Sequence, residues 1–327
     1  MPRTRLGTTS RELPDECAEL INYQRGVLSR AQALEYGAGS GTVIARLRSG
    51  RWQRLHRGVY ATFTGEPGRE ATLWAALQRV GPEAVLSYHT AAELSKLTPR
   101  QSQLIHVTVP RQVHLRAIPG IVLHRSSRID QARHPSLSPP RTRIEETVLD
   151  LAGTATDLDD ALAWLARACG DRLTRPDLLR AALAHRTRIR WRPELAIALG
   201  DIADGAHSIL ELRYVRRVER AHGLPRARRQ VRSSIGQHTG YRDALYTEFG
   251  VAVETDGRVA HPPEARWQDQ RRDNAAAADG LVPLRYNWTD ITQRPCQVAE
   301  QVAAVLRQRG WRGNSRPCSP ICPVPRS

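Results

Sequence analysis

Residues 251–261 read Val-Ala-Val-Glu-Thr-Asp-Gly-Arg-Val-Ala-His, an apolar run that turns acidic before it stops. Side chains alternate across a strand, so Glu254 and Asp256 share one face while Val251, Val253 and Thr255 share the other. Asp256-Gly257 is a common hairpin signal, and a strand ending in a polar turn is the plain explanation of its acids. The neighbouring segments favour a second explanation. The strand Tyr241–Thr247 carries Asp243, and a turn around 248–250 joins it to the strand at Val251. That hairpin sets Asp243 roughly opposite Glu254. Opposed carboxylates destabilise a sheet unless something positive lies between them. A hard divalent cation such as Mg2+ supplies that charge, with Asp243 and Glu254 as its ligands.

The flanking segments build a domain around this hairpin. A helix runs from Ser208 to about His222 and stops at Gly223. Glu211 lies on its inward face with Tyr214, Val215 and Val218, although Ser208-x-x-Glu211 also fits a capping box. A basic strand spans 228–232. After His261 the spacing predicts a helix from near Pro263 to Gly280 that carries Arg271, Arg272 and Asn274. A strand over 281–286 and a last helix from about Pro295 to Gly310-Trp311 complete an α-β-β-β-α-β-α order, a mixed sheet flanked by helices.

The N-terminal part reads differently. Between residues 25 and 57 there are seven arginines against one acid, Glu35. Ser29 looks like the cap of a helix through Tyr36, stopped at Gly37. Ser40 caps a second helix ending near Gly50, with Val43, Ile44 and Leu47 inward and Arg46 and Arg48 outward. Two short strands, 52–55 and 59–62, follow around a turn at His56-Arg57-Gly58. Helix, turn, helix and hairpin is the order of a winged helix-turn-helix, so Arg46, Arg48, Arg51 and Arg57 are expected to contact DNA. Residues 65–200 predict a mixed α+β scaffold. His106, His114 and His124 lie in or beside its strands as structural residues, and Asp157-Leu158-Asp159-Asp160 opens a helix.

Composition agrees with a nucleic-acid partner. The 327-residue chain has a net charge of +16, and 48 of its 49 basic residues are arginine, Lys96 being the exception. Such a surplus suits a polyanion. No run approaches the roughly 18 apolar residues of a membrane span, and the N-terminus lacks the apolar core of a signal peptide, so a cytoplasmic location without a membrane partner is expected. Five scattered cysteines argue against a disulfide framework. Cys318 and Cys322 fall in a Pro-rich tail expected to be disordered, and two thiols alone rarely make a zinc site.

The block from His207 to Trp311 resembles the Vsr-like branch of the PD-(D/E)xK nuclease superfamily. The matching pieces are Ser208-x-x-Glu211, Gly223-Leu224-Pro225, the Asp243 strand, Glu254-x-Asp256-Gly257 with His261, Arg271-Arg272-Asp273-Asn274, and Leu284-Arg285 through Trp288. Residues 26–62 look like the winged-helix domain of AbiEi-type antitoxins, and the middle block is similar to that family's effector region. The first resemblance implies that Asp243 is a metal ligand, Glu254 a second acidic site residue, Glu211 a supporting acid, and Asp256 and His261 further site residues. Asp256 stands where the superfamily carries its lysine, which Vsr-like members also lack.

The expected class is therefore a multi-domain α/β protein. It comprises a winged helix-turn-helix at 15–62, a scaffold at 65–200, a restriction-endonuclease-like domain at 205–312 and a disordered tail at 313–327. The expected function is Mg2+-dependent cleavage of double-stranded DNA. The alternative is a transcriptional regulator or antitoxin, with a cognate toxin as partner and an inactive nuclease-like domain.

Overall fold

The computed structural model describes residues 13–206, 208–235, 238–256 and 280–325. His261, Arg271, Arg272, Asn274 and the helix expected from Pro263 lie outside them. Asp256 is described only as the last residue of its strand. The chain is mixed α/β and divides into two compact units, Met1–Thr147 and Val148–Ser327.

The first unit opens with α1 (Asp15–Tyr23), β1 (Val27–Ser29), α2 (Arg30–Glu35), α3 (Ser40–Arg48), β2 (Gln53–His56) and β3 (Val59–Ala61). The three strands form an antiparallel sheet in the order β1-β3-β2. Ser29 and Gln32 make a full capping box at α2, and Gly37 ends that turn with φ +80°, a conformation open to glycine. Two expectations fail here. Gly39, not Ser40, caps α3 without a side-chain bond, and Ser40 Oγ instead accepts from Arg30 at 3.3 Å. Ile44 is 48% exposed, while Val43 and Leu47 pack inward with Trp52 and Tyr60. The remaining elements are α4 (Arg69–Val80), β4 (Val85–Leu86), α5 (Tyr88–Leu94), β5 (Ile105–Pro110), β6 (Ile121–Ser126) and α6 (Ile129–Ala132), with a sheet in the order β4-β5-β6. His106 and His124 stack and share a ring-nitrogen contact of 3.0 Å. Burial, reinforced by neighbouring imidazoles, pushes both down to about 4, so they are neutral packing residues near pH 7.

The division between units falls within α7 (Ile144–Thr154). The second unit continues through α8 (Leu158–Gly170), α9 (Pro176–Ala184) and α10 (Arg192–Ala203). A short α11 (Ile209–Arg213) then widens into a π-helical stretch, Tyr214–Arg220. Next come β7 (Arg228–Ile235), β8 (His238–Tyr246), β9 (Val251–Asp256), β10 (Val282–Asn287), α12 (Trp288–Gln293) and α13 (Pro295–Gln308). The sheet order is β10-β9-β8-β7, parallel between β10 and β9 and antiparallel elsewhere. This is the expected mixed sheet, with α12 as an unexpected helix capped by an Asn287–Asp290 box.

Ion pairs cross the boundary expected near 200–205 and tie the preceding helices to the segment that follows. Asp159, in the first turn of α8, pairs with Arg213 at 3.3 Å, Arg216 at 2.6 Å and Arg217 at 2.5 Å. The tail is also not loose. Val324 is buried in the same core as Tyr214, Val253, Tyr286 and Val302, and the Arg316 N–H donates to the His222 carbonyl at 2.9 Å.

Candidate functional site

The acidic residues gather where the four-stranded sheet comes apart. Between β7 and β8 the register runs Arg229↔Ala244 and Val231↔Arg242, with no rung at Gln230 and Asp243. Gln230 is in the left-handed region, φ +46°, an uncommon conformation for a residue with a side chain. Between β8 and β9 the pairs are Tyr246↔Val251, Leu245↔Ala252 and Ala244↔Val253, and the ladder stops one residue short of Asp243 and Glu254. Asp243 therefore sits at an opening on both sides of its strand.

Side chains complete the broken ladder. Asp243 Oδ2 accepts from the Thr255 backbone N–H at 2.7 Å and from Thr255 Oγ1 at 3.2 Å. Glu254 Oε1 accepts from buried Arg242 at 2.8 Å. Glu211 is 7% exposed, and its Oε2 accepts from Gln230 Nε2 at 3.2 Å. Ser208 Oγ meanwhile caps the Glu211 N–H at 3.1 Å. Glu211 thus serves the helix start through its backbone and the opening through its carboxylate. Tyr214, Val215 and Val218 are buried on the helical face expected for them, each worth about 1.5–3 kcal/mol of apolar burial.

The electrostatics single out Asp243. Burial pushes its carboxyl up to about 6, and the nearby Glu211 and Glu254 carboxylates add to the rise against the hydrogen bonds from Thr255. The structure brings Glu211, Asp243 and Glu254 into electrostatic range. It does not gather them into a ready cage, because among the described residues only a different group places three or more His, Cys, Asp or Glu ligand atoms within 4.8 Å of one another. Mg2+ keeps several waters and takes one or two carboxylates, so Asp243 with one acidic neighbour fits it. Glu254 fits it less well, since Arg242 already neutralises it. The sequence reading missed Gln230, Arg242 and Thr255, which have no signature outside this pairing.

Below the opening lies a buried polar network. Glu219 Oε2 accepts from Arg229 at 2.6 Å and from the Tyr246 hydroxyl at 3.2 Å, and the Tyr246 and Tyr214 hydroxyls are 2.9 Å apart. The π-helical stretch buries Glu219 as well as Val218.

In the first unit the arginines are sorted by their surroundings. Arg48, Arg51 and Arg57 are exposed, whereas Arg46 lies over the Trp52 ring at 5.2 Å and is half-buried. Arg57 joins Arg30, Arg54 and Arg79 around a cleft of about 510 Å³ lined also by Gly58 and Tyr60. Among the described residues no carboxylate lines this cleft, so it is suited to an anion. Among the described residues no helix is long and apolar enough to cross a membrane. No protein-family model matches the chain, and no curated protein matches it.

Proposed function

We propose that this protein binds double-stranded DNA through its first unit and cleaves it with a Vsr-like, PD-(D/E)xK-type endonuclease site in its second. The observation that carries the reading is the Asp243 carboxylate, held at a double break in the sheet between Glu211 and Glu254. Active sites arrange burial and like-charge neighbours to shift pKa values, and Asp243 has both. Asp243 would hold Mg2+ with one oxygen while Thr255 fixes the other, and Glu211 would support it from the helix. The ion, when bound, supplies charge to polarise a phosphodiester and acidify a water. The resemblance gives Asp256 and His261 further site roles.

The order α1-β1-α2-α3-β2-β3 supports a winged helix-turn-helix, with α3 as the groove-reading helix and the β2–β3 hairpin as the wing. The arginine cleft beside Gly58 would take backbone phosphates. Arg48 and Arg51 extend the same basic surface.

One observation favours a second reading. The Arg242–Glu254 ion pair satisfies an acid that a hydrolytic site would leave to a metal, as a regulator or antitoxin that grips DNA without cutting would allow. The deciding experiment is plasmid nicking by the purified protein with Mg2+, with EDTA and as Asp243→Asn. Mg2+-dependent nicking lost in the variant supports the nuclease. DNA binding without nicking at any Mg2+ concentration supports the regulator.

A further inference from the structure

Four ligand-bearing side chains meet at the far end of the second unit. They are His222, in the turn just past the π-helical stretch, Cys296 in the first turn of α13, and Cys318 and Cys322 in the tail. Their donor atoms all lie within 4.8 Å of one another. Cys296 Sγ and Cys318 Sγ are 3.5 Å apart, far beyond the ~2.05 Å of a disulfide, and Cys322 Sγ is 3.5 Å from His222 Nε2. A tetrahedron with Zn–S near 2.3 Å and Zn–N near 2.0–2.1 Å sets its ligands about 3.8 Å and about 3.5 Å apart. The spacing is that of ligands around an ion.

The histidine is prepared for the role. His222 is fully buried, and its Nδ1 lies 3.0 Å from the Val218 carbonyl. A carbonyl only accepts, so Nδ1 carries the proton and Nε2 turns its lone pair toward Cys322. Metal-bound histidines are fixed in this way by a second hydrogen bond. Cys318-x-x-x-Cys322 has a spacing common in zinc sites, and the Cys322 N–H closes that turn on the Ser319 carbonyl at 3.1 Å.

We propose that His222, Cys296, Cys318 and Cys322 bind one structural zinc ion that clasps the tail to the second unit. Three thiolates and one imidazole in tetrahedral array select Zn2+ over hard cations such as Mg2+, so this centre is chemically separate from the carboxylates at Asp243. Binding exchanges three thiol protons for one ion. It also accounts for an ordered tail that has little apolar surface of its own, with Ile321 almost fully exposed. The tail is held as well by Arg316, which donates to the His222 and Arg220 carbonyls, by Ser315 against Arg307 at 2.5 Å, and by buried Val324.

The test is metal content of the full chain, purified under reducing conditions, incubated with Zn2+ and desalted. About one zinc per chain is expected, falling by at least ~5-fold in Cys318→Ser/Cys322→Ser and unchanged in Cys169→Ser. Co2+ substitution gives an independent readout, namely the intense visible bands of a tetrahedral centre with thiolate charge transfer below 400 nm. A wild type that retains no zinc, or a Co2+ spectrum that is weak and octahedral, overturns the proposal. So does a mass two hydrogens light with Cys296 and Cys318 joined as a disulfide. Because the wild type alone decides the question, a variant that fails to fold leaves the result intact.

Discussion

Asp243 binds Thr255 twice, through the backbone N–H at 2.7 Å and the side-chain hydroxyl at 3.2 Å, where β8 no longer pairs with β9. One carboxylate oxygen thus takes the place of a strand carbonyl. An acid placed there for structure alone would not need two more carboxylates beside it.

Burial of Asp243, with that crowding added, makes stability depend on pH. The folded pKa near 6 lies above the ~3.9 of an unfolded aspartate, so folding favours the protonated form. This contribution is complete below about pH 4 and is lost as pH rises through 6. Asp243→Asn, which keeps an acceptor for Thr255, should match wild type at pH 4 and exceed it by ~2 kcal/mol at pH 7.5 in EDTA. Urea melts at the two pH values measure the difference. Equal stability at pH 7.5 would show that Asp243 is not strained.

The Arg242–Glu254 pair should be costly to break from one side. Both side chains are largely buried, so Arg242→Met strands a carboxylate and should cost ~3–5 kcal/mol. Adding Glu254→Gln removes that charge and should recover at least half of the loss. A double-mutant cycle in urea reads the coupling, and additive losses would mean that the two residues stabilise independently.

Glu219 should behave as the hub of its network. Glu219→Gln leaves the Arg229 charge buried without a counter-ion and should cost ~3 kcal/mol. Tyr246→Phe removes one neutral donor and should cost ~1 kcal/mol. Chemical denaturation that ranks them the other way round would place the weight of the network on the tyrosines.

DNA binding by the whole protein should depend on the arginine cleft. Each lost phosphate contact lowers the slope of log affinity against log salt by ~0.9. Arg54→Ala/Arg57→Ala should therefore reduce the slope by ~2 and weaken binding at low salt on every duplex sequence. Fluorescence anisotropy between about 50 and about 200 mM salt tests it. An unchanged slope would move the phosphate contacts away from this cleft.

Local signals were the legible ones. The Ser29 cap, Gly37, Gly223, the helix opening at Asp157 and the β8–β9 hairpin all depend on residues within a few positions of one another, and each formed where the sequence placed it. Ser40 lost its cap to Gly39, and Ile44 is exposed although it shares a helix with Val43. The acids were readable because a hairpin fixes register, which carries Asp243 to Glu254. Gln230 was not, since its role depends on a backbone flip opposite Asp243. The cysteine and histidine group was least legible of all. His222 and Cys322 are 100 residues apart, and Cys296 hides in an ordinary helix, so no short spacing announces the four together.

Asp159 has a consequence for how this molecule can be divided. One carboxylate in α8 holds three arginines of the helix that bears Glu211, and Leu210 beside it is buried. A gene truncated at residue 205 would strip the counter-charge from Arg213, Arg216 and Arg217 at a stroke. The segment from residue 205 is therefore not a cassette that can be lifted out at its sequence motifs. An exchange between chains that keeps these ion pairs would have to carry α8 along as an obligatory passenger.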